Sequence, residues 1–158
     1  MAGIVGLAPS GSLGSGYNLE AFKRGLDENP DFIRALMAPD AMTIPPRLED
    51  GAIARAAQAG PVFSVHPDGH LHMRYTARTV SIEWRSDAAT VAAVAALGRI
   101  LAAETPWTLH GRLEPGMGLV CNNVLHDRAA FAESDTQKRL LYRARYYDRI
   151  VDAPYRAD

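Results

Sequence analysis

A single cysteine, Cys121, in 158 residues leaves no partner for an internal disulfide, so a packed core has to hold this fold together. The formal net charge of −1 removes any global electrostatic pull toward nucleic acid or an anionic membrane. No Lys or Arg precedes Lys23, and without a basic start a secretory leader is not expected. The longest apolar run, Ala88 to Ala103, is interrupted by Arg99 and is too short to cross a bilayer. Neither an internal repeat nor a domain linker breaks the chain. The expectation is one domain over residues 1–158, cytoplasmic, with neither nucleic acid nor membrane as partner. Hydrophobic residues make up 47%, enough at this length to bury a substantial core.

The most patterned stretch runs from Leu113 to Ile150. Pro115-Gly116 reads as a tight turn, because Pro sets one dihedral and Gly tolerates the next. Met117, Leu119 and Cys121 then alternate with Gly118, Val120 and Asn122. Further on, Leu140, Tyr142, Ala144 and Tyr146 alternate with Leu141, Arg143, Arg145 and Tyr147. Period-two alternation predicts two strands, with Cys121 a small buried hydrophobe on the first. Side chains two apart share a strand face, so Arg139, Arg143 and Arg145 project together. Such a cluster asks for an anion or for carboxylate partners, and His126 lies between the two strands. A neutral imidazole suits Fe(II), and a guanidinium fork holds a carboxylate by two parallel hydrogen bonds. On residue chemistry alone, Arg139 and Arg143 read equally as surface partners of Glu133 or Asp135. Arg128 and Arg145 read as braces for Asp127 and Asp148, and Asn122 and Asn123 as caps for backbone groups at the strand end.

The run Pro115-Gly116, Asn122-Asn123, Leu125-His126-Asp127-Arg128 and Phe131, followed by Arg139 and Arg143, resembles the C-terminal part of the TauD/TfdA family of Fe(II)- and 2-oxoglutarate-dependent dioxygenases. The resemblance implies an α+β fold, mainly β: a partial double-stranded β-helix, or jelly-roll, with helical insertions. It makes His126 an iron ligand, Arg139 the anchor for the distal carboxylate of 2-oxoglutarate, and Arg143 a second arginine for cosubstrate or an acidic substrate. The implied reaction converts 2-oxoglutarate to succinate and hydroxylates a small organic substrate. The family's other histidine and its carboxylate come as His-x-Asp or His-x-Glu on an early strand. In the register set by His126, that strand would precede Met1. The alternative expectation is therefore a non-catalytic module, truncated or one subunit of a split protein, that needs a partner chain or a second copy.

The remainder reads as follows. Gly3 to Ala8 suggests a strand, and the Gly11 to Gly16 loop invites a phosphate-binding reading. That loop lacks the Lys and Ser or Thr of a P-loop, and its glycine order is not the dinucleotide fingerprint. Asn18 is a candidate cap for a helix with Leu19, Phe22 and Leu26 inward. Asn29-Pro30 opens a second helix with Phe32, Ile33, Leu36 and Met37 inward, broken by Pro39 to Pro46. Ala52 to Ala59 is a weak helix candidate. Val62 to Tyr75 reads as a hairpin turning at Pro67-Asp68-Gly69, and Thr79 to Trp84 as a strand. Ser86-Asp87 opens a helix through Glu104 that turns Val91, Val94, Leu97 and Leu101 inward. Trp107 to Leu113 returns to strand. His66-Pro67-Asp68 offers substitute iron ligands or a loop tip. His70 with His72, and His110 with Arg112, offer metal ligands or exposed strand faces.

Overall fold

Asn29-Pro30 divides the first helical unit as its chemistry dictates. The computed structural model describes residues 4–5, 16–67, 69–76, 82–106, 108, 110–122, 124–128, 140 and 142–144. Helix α1 spans Gly16–Glu28 and α2 spans Pro30–Leu36. The Asn29 side chain accepts from the Asp31 N–H at 2.9 Å, and Pro30 occupies the first helical position, where its missing N–H has no consequence. Asn18 does not cap α1, which begins at Gly16. Each added helical residue gains a backbone bond that competes with the cap preference.

The buried face of α1 also differs from the expected one. Ala21 is buried, whereas Leu26 is 41% exposed. A Cβ added at Gly25 would lie 3.0 Å from Ile33 Cδ1, so α1 and α2 close upon each other where α1 carries no side chain. Phe22 meets Phe63 edge to face with ring centroids 5.3 Å apart. In α2, Ile33, Ala35 and Leu36 turn inward, and Met37 remains 38% exposed.

Helix α3, Ala88–Ala102, packs on both α1 and α2. Its inward face is Thr90, Ala93, Ala96, Leu97 and Ile100, while Val91 is 55% exposed. The helix is apolar nearly all round, so periodicity alone leaves the buried face open and close packing selects the small residues. Its N-terminus is held by charge. Asp87 accepts from the Thr90 N–H at 3.0 Å and from Thr90 Oγ1 at 2.6 Å. Arg85 Nε donates to Asp87 at 2.5 Å, and Arg85 Nη1 donates to Asp40 at 3.1 Å.

Ten short strands, all paired antiparallel, complete the described architecture. They are β1 (Ile4–Val5), β2 (Met42–Ile44), β3 (Arg47–Glu49), β4 (Ala52–Arg55), β5 (Gln58–Gly60), β6 (Phe63–Val65), β7 (Leu71–Met73), β8 (Glu83–Trp84), β9 (His110–Gly111) and β10 (Asp127–Arg128). Two three-stranded sheets run β10-β1-β9 and β5-β2-β8, beside hairpins β3-β4 and β6-β7. Among the described residues the fold is mixed α+β, with three helices and small antiparallel sheets. Its core joins Ile33 and Leu36 to Met42, Val62, Phe63, Leu71, Met73, Ala93 and Leu97. Among the described residues no helix is long and apolar enough to cross a membrane.

Several local expectations are corrected. Pro39 to Pro46 is not merely a break, because it contains β2, the centre of its sheet. Ala52 to Ala59 is not helical but forms β4 and β5. Asp50 and Gly51 take positive φ, 50° and 79°, the geometry of a two-residue hairpin turn that sets Leu48 opposite Ile53. Ladder bonds across that turn outweigh the helix preference of the alanines. Residues 117–122 and 142–144 form no strand, and Cys121 is exposed rather than buried. Alternation makes a strand only where a neighbouring strand accepts its hydrogen bonds, and no described strand pairs with these residues.

The cap at Asp87 yields a pH prediction. The Arg85 hydrogen bond first, then those from Thr90, hold its carboxyl well below the usual carboxylate range. A depressed folded pKa contributes stability that is present above the unfolded value, about 4, and is lost as pH falls below it. Asp87→Asn should lower the thermal midpoint by several degrees at pH 7, and the gap from wild type should narrow below pH ~4. Melting curves followed by circular dichroism across pH 3 to 7 check this; a gap that does not change with pH would refute it.

Candidate metal and carboxylate site

Leu125 is partly buried against the core and anchors the segment that carries His126. Immediately afterwards the chain enters β10, whose Asp127 and Arg128 pair with Val5 and Ile4 of β1. On its other side β1 pairs with β9, setting Val5 against His110 and Ile4 against Gly111. His126 therefore stands at the entry to an edge strand, a position the sequence reading placed in a polar loop. Strand β10 was missed because its partner lies more than a hundred residues away in the chain.

His126 is exposed, and its Nδ1 lies 3.1 Å from Val124 O. A carbonyl oxygen can only accept, so Nδ1 donates, and in the neutral ring Nε2 holds the lone pair. Metal-bound histidines commonly donate their second ring N–H to a backbone carbonyl, which orients the ring and fixes the tautomer. In its neutral form a ring held this way presents Nε2 outward, as a ligating histidine does. Upstream, the turn at Pro115-Gly116 forms as expected: the Met117 N–H donates to Glu114 O at 3.0 Å, and Gly116 takes φ 85°.

The arginine half is only partly visible. Arg143 is exposed, and no hydrogen bond joins it to His126 among the described residues. Arg139 and Arg145 lie outside the described residues. The strand expected to carry all three arginines on one face is not formed at 142–144. Among the described residues no group of three or more His, Cys, Asp or Glu side chains is arranged to hold a metal. His126 by itself fits an imidazole ligand; the described residues do not complete the set.

Other sequence candidates resolve into simpler roles. His66 and Pro67 stand at the turn of the β6-β7 hairpin: the Gly69 N–H donates to His66 O at 2.8 Å, and Gly69 takes φ 83°. Asp68 itself lies outside the described residues. The His110 ring sits 3.3 Å from Glu104, and Arg112 pairs with Glu114 at 3.1 Å, so both have local carboxylate partners. Of the glycine-rich loop, only Gly16 is described, and it opens α1.

The sequence reading also missed Arg74. Its guanidinium donates to Gln58 O at 2.5 Å and occupies the space that a side chain at Gly60 would need. Burial holds the Arg74 pKa below its ordinary value, and the positive charge of Arg55 acts in the same direction. Tyr75 beside it stacks on Trp84 with centroids 6.3 Å apart, and burial raises its phenol pKa. A partner sixteen residues away on another strand leaves no sequence signal.

No protein-family model matches the chain, and no curated protein matches it. The geometry at His126 makes one prediction. In ¹⁵N-detected spectra above pH 8, neutral His126 should carry its proton on Nδ1, opposite to the preference of a free imidazole. An Nε2–H tautomer there would show that the Val124 bond is absent.

Proposed function

We propose that this chain is the C-terminal portion of an Fe(II)- and 2-oxoglutarate-dependent dioxygenase that hydroxylates a small, acidic organic substrate. The observation that carries the reading is the His126 Nδ1 to Val124 O bond, which leaves Nε2 as the metal-facing nitrogen. It falls at the histidine that the Pro115 to Arg143 resemblance marks. His126 contributes one imidazole to the iron. Arg139 holds the distal carboxylate of 2-oxoglutarate, and Arg143 pairs with the same molecule or with an acidic group of the substrate. Ferrous iron, when bound, supplies the redox chemistry that couples 2-oxoglutarate decarboxylation to oxidation of a C–H bond. The second histidine and the carboxylate have no counterpart in this chain in the register set by His126. The reading assigns them to another polypeptide stretch, within a double-stranded β-helix that both stretches build.

A second reading, a non-catalytic module that needs a partner chain, is favoured by exposed apolar surface. Val120 is 77% exposed, Leu140 76% and Tyr142 87%. A partner chain would cover such side chains if they lie on one face.

One experiment separates the two. Anaerobic addition of Fe(II) and 2-oxoglutarate to the protein that contains both stretches should produce the visible charge-transfer band of the chelate. His126→Ala should abolish the band, and Arg139→Gln should raise the 2-oxoglutarate concentration needed by about tenfold or more. A folded protein without the band gives way to the second reading. That reading in turn predicts self-association on size-exclusion chromatography and binding of a surface-hydrophobicity dye, and a clean, dye-silent monomer would sink it.

A further inference from the structure

The outer face of the β6-β7 hairpin carries histidines that the dioxygenase reading does not use. Ser64 lies directly opposite His72, and Val65 opposite Leu71. Directly opposed residues share a face, as do residues two apart on one strand. His66 therefore joins Ser64, and His70 joins His72, on one face of the ribbon. The opposite face carries Phe63, Leu71 and Met73, all buried in the core. His66 and His72 are diagonal neighbours, and their ring centroids are 5.3 Å apart with the ring planes at 89°. His66 is exposed and His72 half-buried, so solvent ions reach the pair.

We propose that His66 and His72 form a two-imidazole site for a divalent transition-metal ion of the zinc, nickel or copper class. Imidazole nitrogens bind such ions at about 2.1 Å, and two rings sharing one tetrahedral ion place their centroids about 5 Å apart. The observed separation matches without any movement of the backbone. Ring planes at a steep mutual angle are compatible with chelation, since each ring turns freely about its own nitrogen-to-metal axis. Divalent ions of this class favour imidazole over the carbonyl and water ligands suited to magnesium or calcium.

The scaffold supports the pair. The turn is pinned by the His66 N–H donating to His70 O at 2.9 Å and by the Gly69 N–H donating to His66 O at 2.8 Å. With Phe63 and Met73 holding the reverse face, an ion would order two side chains and no main chain. Among the described residues no group of three or more His, Cys, Asp or Glu is arranged to hold a metal, and the proposal draws on the two imidazoles alone. The inference is independent of His126, which lies in a different element.

The test is a Zn²⁺ titration of the whole chain at pH 7.5, followed by calorimetry and by imidazole ¹⁵N shifts. Saturable one-to-one binding is expected, with the shifts confined to His66 and His72. His66→Gln and His72→Gln should each weaken binding by about tenfold or more, while His110→Gln leaves it unchanged. Lowering the pH of the wild type to 5.5 should release the ion, because protons compete with the metal for the imidazole nitrogens. Absence of saturable binding, affinity in the His66 and His72 variants equal to that of the wild type, or loss on His110→Gln would each overturn the proposal. Should a hairpin variant fail to fold, the wild-type shifts and the pH release decide the matter.

Discussion

Phe63, the largest of the described side chains fully withdrawn from water, meets the ring of Phe22 edge to face, and the described core is arranged about that contact. It ties α1 to the β6-β7 hairpin, and the residues around it bring α2, α3 and β2 into the same core. Aromatic pairs of this geometry add about 1 kcal/mol beyond the area they bury. The larger effect is positional. With Phe63 and Met73 drawn inward, strict alternation along two short strands turns Ser64, His66, His70 and His72 outward. The apolar side of the ribbon thus decides where its imidazoles stand.

Charge acts at the ends of elements and not within the core. Arg85 links Asp40, after α2, to Asp87, before α3, and so fixes how α3 leaves the β5-β2-β8 sheet. Arg99 pairs with Glu28 and ties the last turn of α3 to that of α1. Each group keeps contact with water, which limits the strength of any single pair. Their effect is on direction: they select one docking of helices whose apolar faces admit several.

His126 differs from these groups because its only described polar contact is to a main-chain carbonyl two residues before it. That bond sets a tautomer and an orientation without neutralising a charge, and it suits a ligand more than a brace. The surrounding segment, from the Pro115-Gly116 turn to β10, is exposed along most of its length. The buried core residues between Ala21 and Ile100 contrast with this open segment, which the partner stretch proposed above would cover.

Local chemistry was legible from the sequence where it is decided within a few residues. The Asn29-Pro30 helix start, the Asp87 cap, the Pro115-Gly116 turn and the hairpin about Pro67-Gly69 each rest on dihedral preferences or on hydrogen bonds spanning two to four positions. Pattern failed where more than one partner was available. Helix α3 is apolar on several sides, so only packing chose Ala93 and Ala96 over Val91. The alanine-rich stretch after Gly51 became β4 and β5 because ladder partners reached it, while the alternating stretch after Gly116 stayed outside any sheet. The same holds for chemistry. His126 announces itself by its neighbours in sequence, whereas the approach of His66 to His72 exists only once the strand register is set. Propensity acts through neighbours along the chain, but a ladder bond or a buried contact acts through neighbours in space, and only the folded chain decides which those are.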